Sequence, residues 1–575
     1  MSPAPSPESA IPQDGLDHFA ARITAAVAPL IDQPASALQL ERPRQEEHGE
    51  FSLPCFRFAA GTGEKPPALA ARLAETLEIA DVEASAVGPF LNFRITSVTM
   101  AQVVLADAAR ADYGSAKEGL TSIVEFSSPN IAKPMHVGHM RTTVIGAALA
   151  RLFDHLGHKV IRINHLGDWG AQFGKLVAAW RRWGSEESLL TDPIDHLLKL
   201  YVRYHEEEKQ DPTLGEDAKA AFQELESGED NETRKTWIRF TQESLKEFQK
   251  VYDRFGISFD YLRGESWYED KLEGLLAWLD SCGVTEESDG ATIVDLTSED
   301  IKTPCLVKTA HGTTLYATRD LAAARSRWEE FSFDQSLYVV GAEQTLHFQQ
   351  FFAVLRRCGA DWASRLEHVP FGLIRLAEGK LSTRAGRVIS LKEVLDRAVE
   401  LALAAVEEKN PELANKEEIA EIIGVGATMF HDLKHQRQKD VVFDWKEVLS
   451  FEGDTGPYLQ YTYARCGSIL RKAGKPADRD NFDSSLVAEE SRELCIALGR
   501  LPQAIREAAQ KREPMIVAQA LLRIGAAGNV YYRENRVLGL EDPAQENARL
   551  VVLETLRNTL SMGLGLLGIR CPEEM

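Results

Sequence analysis

Two histidines three apart open the most chemically loaded stretch of the chain, SSPNIAKPMHVGHM. At the start of a helix, His136 and His139 share a face. A helix N-terminus offers unpaired N–H groups and a partial positive charge, both suited to phosphate. Two imidazoles there add donors aimed at the same anion, and Gly138 between them lets a flat base lie against the backbone. The tetrapeptide alone fits two other readings, half of a metal site or a pair of surface histidines. Far downstream, GKLSTRAGRVISL gathers Lys380, Ser382, Arg384 and Arg387 among glycines. A Gly-flanked basic loop is suited to close over a polyphosphate and to stabilise charge that develops in a displacement. The two stretches together supply the halves of a phosphate clamp.

The elements around them must form a scaffold. Ile123, Val124 and Phe126 make a short apolar strand that runs into a Ser/Pro turn. HVGHMRTTVIGAALARLFDH has helical apolar spacing and no internal proline, and KVIRINH is a further strand before the turn GDWG. Strand, helix, strand is a βαβ unit, the seed of a parallel sheet. Upstream, HFAARITAAVAPLI and ALAARLAETL read as helices and GPFLNFRI as a strand. Residues 181–260 are charged and helical, broken at DPTLGED and ESGEDNE. Strands are expected at ATIVDL, TPCLVKT, GTTLYAT and SLYVV, with a helix at RDLAAARSRWEE. From residue 392 the pattern is almost only helical. The reading is a leader over 1–15, a small α/β domain over 16–115 and an α/β core over 116–391 with its helical insertion. Connecting helices follow over 392–452, then an all-helical domain over 453–575.

Composition fits this size and sets limits. The 575 residues carry 65 Lys and Arg against 87 Asp and Glu, a net charge of −22, with 44% hydrophobic residues. That excludes a disordered chain and a small disulfide scaffold. No uncharged apolar run approaches the ~18 residues that a membrane span needs. The N-terminus MSPAPSPESAIPQDG lacks the basic and apolar segments of a signal peptide, so a cytoplasmic protein is expected. The seven cysteines are scattered without a CxxC pair, which argues for reduced thiols and against a cysteine metal site. An acidic chain disfavours a polyanionic partner, yet charge is unevenly spread. From Thr455 to Arg536 there are 13 Lys or Arg and 9 Asp or Glu, a net of +4, which leaves −26 for the rest. Tyr458, Tyr461, Tyr463 and Arg465 there offer faces on which unpaired RNA bases stack. Packing as core at helical spacing is an equally good account of the tyrosines.

HVGH after a strand, with KLSTR downstream, resembles the paired signatures of class I aminoacyl-tRNA synthetases. VEFSSPNIAKPMHVGHMRTT, NHLGDWGAQFGKL, FDYLRGESWY, YATRDLAAA, FEGDTGPYLQYTYAR and LLGIRCPEEM resemble arginyl-tRNA synthetases, in that order, over essentially the whole chain after the leader. Val137 and Leu381 replace the usual Ile and Met of the signatures. Thr383 stands where the class pattern has its second lysine, so Arg384 or Arg387 is expected to supply that charge. The resemblance implies a Rossmann-type parallel-sheet catalytic core, a small α/β N-terminal domain and an all-helical C-terminal domain that reads the anticodon loop. It implies a ligase that activates L-arginine with ATP and transfers it to tRNA(Arg), with Mg²⁺ accompanying ATP. No prosthetic group, protein metal site, DNA or membrane partner is expected, and the chain is expected to act as a monomer. Activation is expected to await bound tRNA.

The same resemblance assigns residues. His136, Gly138, His139 and Lys380 meet ATP, and His136, His139, Lys380, Ser382 and Arg384 form the catalytic set. Glu125 and Asp320 grip the guanidinium beside Tyr316. Ser128, Asn130 and Gln344 orient the α-amino end, and His139 lies near the amino acid. Asn92, Tyr458, Gln460, Tyr461 and Arg465 contact tRNA. Carboxylates suit a guanidinium through charge-assisted, often bidentate bonds. Four residues apart in YATRD, Tyr316 is expected to end a strand and Asp320 to open a helix, both facing the crevice at the sheet's carboxyl edge. The bland alternatives are a helix cap for Asp320, a strand salt bridge for Glu125 and a core aromatic for Tyr316. Lys133 and Arg141 are candidates for phosphate contact or for solvated charges at a helix start. Competing functions are a class I lysine enzyme, a catalytically dead tRNA-binding paralogue and a free-standing nucleotidyltransferase. The two-carboxylate pocket, the intact His136, His139 and Lys380, and the long helical C-terminal half weigh against each in turn.

Overall fold

The computed structural model describes residues 14–310, 312–376 and 390–575. At its centre five parallel strands lie in the order Leu366–His368, Gln335–Tyr338, Thr121–Glu125, Lys159–Asn164, Tyr261–Leu262. The first strand in sequence is the middle one. The chain first winds to one side of it and later returns to build the other. The strand order therefore reverses between Thr121–Glu125 and Gln335–Tyr338, where Glu125 pairs in register with Tyr338. Ligands of open α/β sheets bind outside the carboxyl ends at such a point. The middle strand is buried along nearly its whole length, as a parallel strand covered on both faces must be.

The Val137–His155 helix crosses back over this sheet, with almost every side chain buried. Between the strands ending at Asn164 and starting at Tyr261 lies a helical insertion that includes Pro193–Glu208, Thr213–Glu226 and Glu232–Phe255. The expected break at DPTLGED is shorter than the motif, because Thr213 already starts a helix behind Pro212. A second, antiparallel sheet of Thr285–Ser288, Ala291–Val294 and Cys305–Lys308 precedes the Tyr316–Phe331 helix. GTTLYAT is not a strand. It contributes only an isolated bridge, Lys308 to Thr314, before that helix begins.

The C-terminal half is helical, with one departure. Val441–Phe443 is a strand that pairs in parallel with Ile374–Leu376. The N-terminal unit, an antiparallel sheet with Phe90–Ile95 at its centre, is docked on the C-terminal helices. Leu16 N–H donates to Gly499 O at 2.9 Å and Tyr113 Oη to Leu498 O at 2.8 Å. Arg492 and Glu50 form a buried ion pair at 2.5 Å across the same seam. No helix among the described residues is long and apolar enough to cross a membrane.

Candidate active site

At the head of the Val137–His155 helix the chain is extended at His136 (φ −115°, ψ 173°), which therefore caps it. The Gly138 N–H donates to His136 Nδ1 at 3.0 Å, and the His136 N–H donates to His139 Nδ1 at 3.1 Å. The imidazoles thus satisfy two backbone N–H groups that the sequence had left for an anion. Since each Nδ1 accepts, each ring carries its proton on Nε2 and presents that N–H outward. Burial holds His136 below the usual histidine range. It pushes His139 down to about 3, with His136 adding to the effect. Both are neutral donors at physiological pH. A Cβ on Gly138 would lie 2.8 Å from the His136 ring, so the glycine is what allows that ring to fold over the first turn.

The turn before this helix is strained. Ser127, Ser128 and Ala132 have φ of 75°, 47° and 62°, in the left-handed region disfavoured for side-chain-bearing residues. Three elements hold it. Ser127 N–H donates to Thr142 Oγ1 at 3.0 Å, whose own proton goes to Val339 O at 2.6 Å, and Ser128 N–H donates to Asn164 Oδ1 at 3.0 Å. Asn130 lies against Gly167, where a Cβ would meet its Oδ1 at 2.2 Å. Ser128 Oγ is left buried without a partner.

The expected guanidinium carboxylates differ in state. Glu125 is buried at the end of its strand and pairs at 2.5 Å with Arg327, which is fully buried. Asp320 is partly open. His347 Nε2 donates to its Oδ2 at 2.7 Å, and His165 Nε2 stands 3.6 Å from Oδ1. Tyr316 does not end a strand. It is the first residue of the helix that carries Asp320, stands 59% exposed and lies 4.8 Å from the His347 ring. The helix starts there because Leu315 is extended and its N–H is taken by Thr318 Oγ1 at 3.3 Å. Gln344 is exposed at the head of the Thr345–Arg357 helix.

Three titratable residues beside Asp320 carry no sequence signal of their own: His165, His347 and Glu265. Glu265 follows the third strand of the sheet, and burial pushes its carboxyl up to about 7. Asp168, whose carboxylate accepts from Ser266 N–H at 2.9 Å and Oγ at 2.6 Å, pins the turn that carries it.

Other expected residues sit elsewhere. Arg141 is buried rather than phosphate-facing: it pairs with Asp432 at 2.8 Å and donates to Gly372 O and Lys439 O. Lys133 faces the Tyr201 ring of the insertion at 5.9 Å. Asn92 is buried in the N-terminal sheet, and Gln460 is buried with its amide spent on Ile422 O and Arg570 O, so neither faces solvent. Tyr463 is buried, its hydroxyl donating to Glu573. Tyr458 is half-buried and tied to Asn529. Tyr461 and Arg465, one helical turn apart, are exposed. Lys380, Ser382, Arg384 and Arg387 lie outside the described residues, as do Leu381 and Thr383. The chain resumes at Ser390, which bridges to His136.

Neutral HxGH donors at a helix head, with carboxylates at neighbouring strand and helix ends beside a sheet switch point, are the arrangement of a class I aminoacyl-tRNA synthetase. Residues 100–445 match the family model of class I (R) tRNA synthetase catalytic domains, and 459–575 match the DALR anticodon-binding domain. Residues 17–95 match the arginyl-tRNA synthetase N-terminal domain. The chain is 45% identical over 559 residues to the arginine–tRNA ligase of Ligilactobacillus salivarius, covering 96% of this chain and 98% of the relative. It is 44% identical to that of Latilactobacillus sakei, covering 93% and 95%. The solved arginyl-tRNA synthetase of Thermus thermophilus superposes with a TM-score of 0.82 at 29% identity, covering 97% of this chain and all of that one. The chain belongs to the arginyl-tRNA synthetase family. It is an arginine–tRNA ligase, which joins the amino acid to tRNA at the expense of ATP.

Proposed function

We infer that the crevice at the sheet's switch point binds arginine with its guanidinium toward Asp320 and Tyr316 and its α-amino end toward Ser128, Asn130 and Gln344. The observation that carries this reading is Asp320: a partly open carboxylate, held on one oxygen and beside an exposed tyrosine, at the edge where Glu125 ends its strand. Glu265 adds negative charge from the facing turn. Glu125 acts from behind, its charge shared with Arg327. His136 and His139 offer Nε2–H donors to ATP phosphates. Being neutral, they orient the nucleotide without adding charge, and the cationic part falls to Lys380 and Arg384, with Ser382 as a further donor.

The arginine carboxylate attacks the α-phosphorus, diphosphate leaves, and the terminal ribose hydroxyl of tRNA then displaces AMP from the carbonyl carbon. The protein's part is mainly positioning and charge stabilisation. Mg²⁺ would enter with ATP on phosphate oxygens and water. Among the described residues no group of three His, Cys, Asp or Glu side chains is gathered to hold an ion. For tRNA, Tyr461 and Arg465 offer a stacking face on the C-terminal helices. Phe56 and Phe90, exposed and edge-on at 6.0 Å, offer one on the N-terminal domain in place of Asn92. The chain acts as a cytoplasmic monomer in this reading. Charging bulk tRNA with each amino acid in turn tests it. Arginine alone should be esterified, and citrulline, its neutral isostere, should fail to compete. Efficient charging with lysine would overturn the pocket.

A further inference from the structure

We propose that His347 is a positioning residue of the amino-acid pocket, which anchors one oxygen of Asp320 and so aims the other at the substrate. The inference rests on the reading of Asp320 as the guanidinium acceptor. The two carboxylate oxygens are not equivalent. Oδ2 accepts from His347 Nε2 at 2.7 Å, a full hydrogen bond, whereas Oδ1 is 3.6 Å from His165 Nε2, too far for one. A carboxylate with neither oxygen held rotates broadly about its last torsion. One anchored oxygen removes that freedom and leaves Oδ1 for a planar N–H donor. A carboxylate only accepts, so His347 must carry its proton on Nε2.

The imidazole is itself immobilised. Its ring stacks against Phe351 at 6.2 Å and meets Phe348 edge-on at 5.3 Å, and Phe348 is sandwiched against His368 at 4.3 Å. The ring also meets Tyr316, tilted, at 4.8 Å, so both proposed pocket side chains touch the same imidazole. The brace works in the same sense as Arg327 on Glu125: each carboxylate is fixed from the protein side by a group that does not touch the substrate.

The test compares His347→Ala, His347→Gln and His347→Asn, alone and with Asp320→Asn, by tRNA-supported ATP–diphosphate exchange. Gln carries an N–H close to the reach of Nε2, whereas Asn falls one methylene short. His347→Ala and His347→Asn should raise KM for arginine roughly tenfold, the size of a hydrogen bond to a charged group, while KM for ATP holds and kcat moves less than about threefold. His347→Gln should recover most of the loss. With Asp320→Asn already present, His347→Ala should add less than about twofold, because interacting residues are not additive. Unchanged KM for arginine in the Ala and Asn variants would overturn the proposal. So would equal loss in Gln and Asn, or an undiminished penalty in the Asp320→Asn background. Should Ala alone fail to fold, the Gln–Asn contrast still decides. If Asp320→Asn leaves KM for arginine untouched, the pocket reading itself fails, which is a separate outcome from loss of the brace.

Discussion

Glu125 and Arg327 pair at 2.5 Å at the carboxyl end of the middle strand, so the protein already supplies to this carboxylate the kind of cation that the proposed pocket would take from solution. The pairing changes what a substitution there measures. Removing one partner of a buried ion pair strands the other charge, at a cost of about 3–5 kcal/mol. Glu125→Gln should therefore lower global stability in urea unfolding by that amount, and Arg327→Met in the same chain should restore part of it. A Glu125→Gln variant of full stability that has lost only arginine affinity would show direct contact instead.

Asp320→Asn should behave in the opposite way. It keeps shape and removes charge from a partly open site, so stability should hardly change. Arginine kcat/KM should fall by about 2–5 kcal/mol of transition-state stabilisation, as for a truncated charge pair, while ATP binding persists. Near wild-type charging kinetics would remove Asp320 from the pocket.

Glu265 gives the site a pH dependence whose sign is fixed. Its carboxyl sits at about 7, raised by burial, and faces His165, Asp320, Arg319 and Asp168. Below that pH it is neutral; above it, it is an anion that welcomes a guanidinium. KM for arginine should fall as pH rises from 6 to 8, by up to about tenfold in all and mostly below pH 7, with a proton released on binding. The same raised value stabilises the empty enzyme below about pH 4.5, and that contribution is lost as pH climbs through 7. Glu265→Gln should flatten the KM profile. An unaltered profile in that variant would assign the titration to another group.

Lys380 belongs to the second signature, KLSTR, and its role is testable by kinetics. Lys380→Ala should lower kcat for adenylate formation more than it raises KM for ATP, because a cation on the polyphosphate works hardest as charge moves to the leaving group. A pure KM effect would mark simple ground-state binding.

The C-terminal helices are tied by hydrogen bonds to the strand that leads toward the second signature, which gives tRNA coupling a testable route. The Arg437 N–H donates to Glu513 and its guanidinium Nε to Arg512 O, while Gly372 N–H donates to Arg437 O just before the Ile374–Leu376 strand. Exchange of ATP with diphosphate should be negligible with arginine alone. It should be robust with cognate tRNA, even one whose terminal ribose cannot accept, and Arg437→Ala should blunt that stimulation. Full exchange by nuclease-treated enzyme without tRNA would end the coupling claim, because tRNA must favour one state over another to activate.

What the sequence made legible was contiguous. The strand–turn–helix around His136 and the YATRD helix lie within short windows where spacing decides geometry. The two imidazoles were placed correctly at a helix head, yet their Nδ1 atoms spend themselves on the backbone, which spacing alone does not reveal. Arg141 is expected from sequence to meet phosphate or solvent, and Arg327 carries no local signal; only tertiary packing shows them buried against Asp432 and Glu125. His165, Glu265 and His347 come from three separated elements, each a lone titratable residue without local pattern. Their signal lay in the flanking blocks NHLGDWG and GESWY and in QTLHF, beside turns that return to the sheet's carboxyl edge. Tyr316 was misplaced because GTTLY favours strand by residue type, while Thr318 caps a helix instead.

The seam between Glu50 and Arg492 spans 442 positions of sequence. During synthesis the acidic member emerges first and waits in the N-terminal sheet, with Ile95 N–H as its other partner, until the ribosome has delivered most of the chain. Chains are made at roughly 5–20 residues per second, so that wait lasts about 20–90 seconds. The N-terminal domain, translated first, thus completes its burial only after most of the chain has been made. A chain cut short before Arg492 would keep the Glu50 carboxylate but lose its cation, together with the helices on which the N-terminal sheet docks.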